Sequence, residues 1–284
     1  MLHDAFDPFF VLVEVCAGLG AICWLVSVLT REYSWVDRLW SLAPPAYAWI
    51  LAAETRFAVG RVVLVAVLTT LWGARLTYNF ARKGGYAKGG EDYRWLHLRE
   101  RIPGFAFQLL NLVFIAGAQN VLLMLLVTPA LAAAKNPSPL GPADALVSGA
   151  FLACLALETK ADEDQWRFQE RKRTRRARGE PGPEICTEGL FRYSRHPNFF
   201  FEISLWWVVY GFTVVATGAW LHWTILGAVS LTALFQGSTS MTENITRAKY
   251  GAEFDAYRAR TSRLVPWWPG AGRARRAPAS PASP

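Results

Sequence analysis

The segment Gly189-Leu190-Phe191-Arg192-Tyr193-Ser194-Arg195-His196-Pro197-Asn198-Phe199-Phe200-Phe201-Glu202 gathers two guanidinium groups, an imidazole, an amide and a carboxylate where a basic stretch turns into an apolar one. Pro197 suits the first turn of a helix, where its missing N–H would have had no partner in any case. A helix beginning there carries Asn198 and Glu202 four residues apart on one face. A carboxylate about one turn inside an apolar helix is costly unless it faces protein, water or a bound polar ligand. These residues alone support two readings: a helix cap flanked by arginines that snorkel to head groups, or a site that hydrogen-bonds a polar ligand.

Other positions invite the same question. Glu158, Asp162 and Trp166 fall on one helical face at four-residue spacing. The run Arg171-Lys172-Arg173-Thr174-Arg175-Arg176-Ala177-Arg178 suits either phosphate or anionic lipid head groups. Tyr250, Phe254 and Tyr257 form a helical stripe that could pack on a membrane surface. Asp37 and Arg38 interrupt an apolar stretch, and an ion pair of Asp37 with Arg38 or Arg75 would fix helix packing there; Glu14 is a second isolated acid. The four cysteines, Cys16, Cys23, Cys154 and Cys186, include no C-x-x-C pair and have no His cluster beside them, so no metal site or disulfide framework is implied.

The elements that must position these groups are membrane helices. Apolar residues make up 52% of the 284-residue chain and charged ones 18%, with the charge concentrated between long apolar runs. A net charge of +8 could suggest nucleic acid, but a phosphate reader needs a basic face on a soluble body, which those runs exclude. Spanning the hydrocarbon takes roughly 20 apolar residues per helix. On that basis spans are expected near 8–30, 35–53, 57–81, 105–133, 142–159, 199–219 and 220–238, the last two joined by a tight turn near Gly218 to His222. With the N-terminus outside, 26 of 30 Lys and Arg fall in inner segments and only Arg56, Arg61 and Lys135 outside. The positive-inside rule then gives an all-α bundle of about seven transmembrane helices, N-out and C-in. From Gly270 the chain is rich in Pro, Ala, Ser and Arg without a hydrophobic period, and is expected to be disordered.

The string Gly-Leu-Phe-x-Tyr-x-Arg-His-Pro-Asn-Phe-x-x-Glu resembles the signature of steroid 5-alpha-reductases, C14 and C7 sterol reductases and a bacterial branch of 5-alpha-reductase-like membrane proteins without assigned substrate. Isoprenylcysteine carboxyl methyltransferases share Arg-His-Pro but continue differently, and Asn198 with Glu202 favours the reductases. Phe199 stands where Tyr is commoner, and Phe201 where many members have Gly. Glu158-Thr159-Lys160-Ala161-Asp162, the block from Gly237 to Pro266, Ser34 to Ser41, Arg75-Leu76 and Gly89 to Trp95 extend the likeness along most of the chain.

The resemblance implies NADPH as cofactor, held between helices and loops, since no G-x-G-x-x-G follows a strand. It implies cofactor contacts from Glu158, Asp162, Arg192, Tyr193, Arg195, His196, Asn198, Glu202 and Tyr250, joined by Arg94 and Lys88 in the glycine-rich loop. The steroid enzymes carry a ketone-polarising glutamate in the first block, where this chain has Asp37-Arg38. Hydride delivery to an enone needs a proton donor or cation at the carbonyl oxygen. Asp37, with Arg38, Trp72 and Tyr78, is the expected catalytic group.

Residues 1–104 are then the substrate-side half and 105–268 the cofactor half, ahead of a tail over 269–284. The expected activity is reduction of a carbon–carbon double bond in a hydrophobic, steroid-like or isoprenoid enone, by an integral protein of the bacterial inner membrane in contact with lipids. An S-adenosylmethionine-dependent membrane methyltransferase and a non-catalytic lipid-binding protein are the alternatives.

Overall fold

A computed structural model describes residues 7–269; the tail expected to be disordered from Gly270 lies outside the described residues. Among the described residues all regular structure is helical, and Ser194 and Ser262 form an isolated bridge. Five helices are long and apolar enough to cross a membrane: α1 (Pro8–Thr30), α4 (Gly60–Arg82), α6 (Gly104–Leu126), α8 (Pro142–Ala177) and α9 (Pro197–Thr217). Between them lie the short α2 (Trp35–Leu39), α3 (Ala43–Glu54), α5 (Tyr93–Arg99) and α7 (Thr128–Lys135), and α10 (Leu226–Arg260) follows. The chain divides into two compact units, one of residues up to 155 with 204–232, the other of 156–203 with 233 onward, and α6 lies in the first.

The helix ends have local causes. Asp7 caps α1 by accepting the Phe9 amide at 3.0 Å, and Pro8 opens it. Arg31, in the left-handed region at φ 58°, ends it. The expected span 35–53 is broken into α2 and α3, because Pro44-Pro45 lack the amide donors a continuous helix requires and instead start a new one. The expected span 105–133 stops at Val127 for the same reason: Pro129 sits in the first turn of α7. The expected span 142–159 is the apolar first part of the 36-residue α8, which runs on into charged sequence without a break. Gly218, at φ 71°, ends α9, and a short turn with a 3-10 segment, Trp223–Ile225, leads to α10, as the hairpin pattern predicts.

In the first unit α3 packs along α4, and α1 against α6. Gly73 of α4 lets the chain before α3 come close: a Cβ there would lie 2.4 Å from the Ser41 carbonyl oxygen. Arg61, in the first turn of α4, makes a bidentate pair with Asp144 in the first turn of α8, Nε–Oδ1 at 2.6 Å and Nη2–Oδ2 at 2.9 Å. Both side chains are 3% exposed. Lys135 pairs with Asp7 at 2.6 Å. Two of the three cations assigned to the outer side are thus neutralised by acids assigned to the same side.

In the second unit Phe168, Cys186 and Phe191 form a small core. The segment after α10 is stapled to the segment before α9: the Arg195 amide donates to the Ser262 carbonyl and the Trp267 amide to the Tyr193 carbonyl, each at 2.9 Å. The Ser194 hydroxyl donates to the Leu264 carbonyl at 2.7 Å. α10 breaks at Gly251, φ 49°, and its last turns bring Phe254 and Tyr257 inward at 3% exposure each. The Tyr257 hydroxyl donates to the Phe191 carbonyl at 2.6 Å. Phe254 and Tyr257 are therefore core residues of this unit and not a stripe laid on a membrane.

Candidate functional site

The second unit holds most of the residues singled out by the sequence. Pro197 starts α9 where expected. Immediately before it, Arg195 and His196 converge on Glu243 of α10: Arg195 Nε donates to Oε1 at 2.7 Å, and His196 Nε2 lies 3.3 Å from the same oxygen. Arg195 and Glu243 side chains are 8% and 10% exposed. Burial alone would raise the Glu243 carboxyl, but the hydrogen bonds from His196 and Arg195 and their charge outweigh it and hold it down to about 2. The Arg195 guanidinium also donates to the Thr261 and Arg258 carbonyls. Through Nε and Nη1 it ties the entry to α9 to the end of α10. His196 stacks on Phe199, which meets Phe235 edge-on.

A second cluster forms around Lys172, which is 5% exposed. Its ammonium donates to the Tyr250 hydroxyl at 3.0 Å and the Glu184 carbonyl at 2.7 Å, and pairs with the Glu184 carboxylate at 2.9 Å. Burial would raise the Tyr250 hydroxyl, but Lys172 outweighs it and holds it below the ordinary tyrosine range. The rest of the basic run is also paired: Arg171 with Glu188, Arg173 with Glu170, Arg176 with Glu184 and Arg178 with Glu180. Arg175 donates to the Pro183 carbonyl. Acids just before and after the run neutralise most of it, which weakens both the phosphate and the lipid reading of that stretch. The Cys186 thiol, raised to about 12 by burial and then by Asp164, is inert.

The remaining candidates of this unit differ in exposure. Glu158, Asp162 and Glu202 are 4%, 5% and 5% exposed, and each has a polar or charged neighbour. Trp166 and Asn198 are half-buried. Arg192 is exposed, and Tyr193 meets Trp268 edge-on at 5.5 Å. Gly189, at φ 57°, leaves room for the Asp164 carboxylate, 2.2 Å from where a Cβ would stand, and that carboxylate accepts the Leu190 amide at 3.1 Å.

In the first unit Asp37 and Arg38 do not pair with each other. The Asp37 carboxylate accepts the Trp95 indole N–H at 2.8 Å. Arg38 pairs with Glu32 at 2.8 Å, donates to the Gly85 carbonyl at 3.3 Å and lies over the Trp35 ring at 4.5 Å. The Arg38 hydrogen bond holds the Glu32 carboxyl below the ordinary range despite some desolvation. The 31–38 segment and the glycine-rich loop are further joined by Tyr33 N to Glu91 at 2.6 Å and Asp92 N to Ser34 Oγ at 2.9 Å. Arg94 is held by Asp92 at 2.7 Å, while Lys88 is exposed. Trp72 is fully buried, edge-on to Trp206 at 4.9 Å, so it packs the core. Tyr78 is 66% exposed under Arg82.

Glu243, Glu184 and Glu32 organise these clusters, and sequence reasoning gave none of them a role. Glu32 stands between Arg31 and Arg38, and Glu184 closely follows the basic run; Glu243, with no cation nearer than Arg247, carried no such signal. No group of three or more metal-ligating side chains occurs among the described residues.

Residues 23–261 match the model of a protein family described as of unknown function (DUF1295), and the chain belongs to that family. It is 35% identical over 276 residues to the uncharacterized protein C594.04c of Schizosaccharomyces pombe, covering 92% of this chain and 80% of that protein. No solved structure matches.

Proposed function

We propose that the protein is an NADPH-dependent membrane reductase that transfers hydride to a carbon–carbon double bond of a hydrophobic enone. The observation that carries the reading is the set of three buried carboxylates, Glu158, Asp162 and Glu202, with the half-buried Asn198, all in one small unit. Buried acids are expensive, and mere anchoring to head groups does not require them. Carboxylates accept hydrogen bonds from ribose hydroxyls and from a carboxamide N–H₂, and the Asn198 amide complements a carboxamide in both directions. Exposed Arg192, just ahead of α9, offers a bidentate donor to phosphate. Bound NADPH would supply the hydride. Asp37, oriented by Trp95, is the candidate proton donor of the substrate end.

Seven crossings, N-out and C-in, accompany this reading. Residues 35–54 make one broken crossing and the first part of α10 another, in addition to the five long apolar helices. With only those five, the loops carrying Lys83 to Arg101 and Arg178 to Arg195 would fall on the opposite side from the other basic segments, and the segregation of positive charge would vanish.

Thermal unfolding of the detergent-purified protein with NADPH and, separately, with S-adenosylmethionine tests the reading, because a ligand that binds the native state alone raises the midpoint. A rise with NADPH is expected. A rise with S-adenosylmethionine alone would move the chain to the methyltransferases, and no rise with either would leave it without the proposed cofactor.

A further inference from the structure

The first unit contains a row of polar groups that the reductase reading leaves unused. Along α1, Cys16, Cys23 and Ser27 are buried, and so are Asn111, Gln119 and Asn120 of α6 and Tyr47 of α3. Asn111 Nδ2 donates to Ser27 Oγ at 2.8 Å, and Asn120 Nδ2 to the Ala116 carbonyl at 2.8 Å. The complementary atoms have no hydrogen-bond partner: Asn111 Oδ1, Asn120 Oδ1, Gln119 Nε2, the Tyr47 hydroxyl and, nearer the helix start, Gln108 Oε1. Asn111, Gln119, Asn120 and Tyr47 are 0%, 4%, 1% and 0% exposed. Tyr47 stands beside the Cys16 thiol and Asn120 beside that of Cys23, both weak partners.

The row has a direction. Gln108 donates to the Tyr33 hydroxyl at 2.9 Å, just ahead of α2, which carries Asp37. Asp37 lies within electrostatic reach of Cys23, and its partner Trp95 meets Phe114 edge-on. Between Asn111 and Ala118 the backbone of α6 is a π-helix, a rare geometry that recurs at functional sites. From Gln108 to Asn120 the helix rises roughly 18 Å. Polar atoms without partners occur at several levels over that length, so one ligand oxygen would satisfy one level and abandon the others. Water, which donates and accepts at once, satisfies all of them.

We propose that these side chains line a file of water that runs from the mouth beside Asp37 to Tyr47 inside the membrane and conducts protons. The path stands on the unpartnered groups alone. Its use rests on the reductase reading: saturating a double bond consumes one hydride, from the nicotinamide, and one proton, which would enter at the mouth beside Asp37 and be carried inward by this file.

Radiolytic hydroxyl-radical footprinting of the full chain in lipid nanodiscs, read by mass spectrometry, tests the path, because radicals generated from buried water oxidise the side chains next to it. Cys16, Cys23 and Tyr47 are expected to label, while Phe212 of α9, equally buried, is not. Asn120→Leu, similar in volume and without polar atoms, is expected to abolish labelling of Tyr47 and Cys16; Gln119→Leu tests the same level if that variant does not fold. A wild-type protein in which all three residues stay unlabelled, or a leucine variant that labels as wild type does, overturns the proposal. Either result is independent of whether NADPH raises the thermal midpoint.

Discussion

Replacing Glu243 by Gln keeps the shape of the side chain and removes the charge that Arg195 and His196 share. The Glu243 carboxyl is held at about 2 against an ordinary value of 4.5. At about 1.4 kcal/mol per pKa unit, that displacement is worth about 3 kcal/mol in the ionised form. Removing one partner of a buried pair costs a similar amount, roughly 3–5 kcal/mol, because the other charge is left uncompensated. For a chain of this size, about 3 kcal/mol corresponds to a midpoint roughly 6–10 °C lower. The pH dependence gives an independent signature. Because the folded value lies below the unfolded one, the contribution is fully present above about pH 4.5 and is lost as pH falls towards 2. Thermal unfolding of wild type and Glu243→Gln, followed by circular dichroism in detergent from pH 7 down to 3, should therefore give curves that converge as the pH falls. A variant within 2 °C of wild type at pH 7, or a gap that does not narrow with acid, would refute the assignment of Glu243 as the counter-charge of this cluster.

Three further expectations follow from the packing. Arg61→Ala leaves Asp144 buried and unpaired and should lower stability by about 3–5 kcal/mol, whereas the double variant Arg61→Met, Asp144→Leu should recover most of it; thermal midpoints of the three proteins decide. Gly73→Ala pushes a methyl group onto the Ser41 carbonyl and should cost about 1–3 kcal/mol, seen as reduced yield of folded protein by size exclusion. Asp37→Asn keeps the Trp95 hydrogen bond but removes the ionisable group, so it should bind NADPH as wild type does and lose turnover of an enone. Loss of folded protein instead would make Asp37 a packing residue.

The membrane class, the apolar helices, the hairpin at Gly218 and the start of α9 at Pro197 were legible because composition, glycine and proline act locally. Misplaced helix ends had equally local causes, in Pro44-Pro45 and Pro129, whose effect inside an apolar run is easily outweighed by the hydropathy around it. The charged part of α8 was hidden for the opposite reason: a helix continues through a change of composition when nothing breaks its backbone. What the sequence could not give was partner choice between distant segments. Arg195 reads as a free cation until Glu243, 48 positions away, is folded against it, and Asp37 reads as half of an ion pair with Arg38 until Trp95 and Glu32 are in place. Acids close behind the basic run, as at Glu184 and Glu188, carried the available hint.

The central claim concerns a nicotinamide pocket built on Asn198 and Glu202. Equilibrium titration of the purified protein with NADPH, followed by energy transfer from its tryptophans to the nicotinamide, measures it directly. Saturable binding by wild type, with Asn198→Ala and Glu202→Ala folded but unable to bind, is the predicted result. Binding of equal strength by all three proteins, or none by wild type, would contradict it.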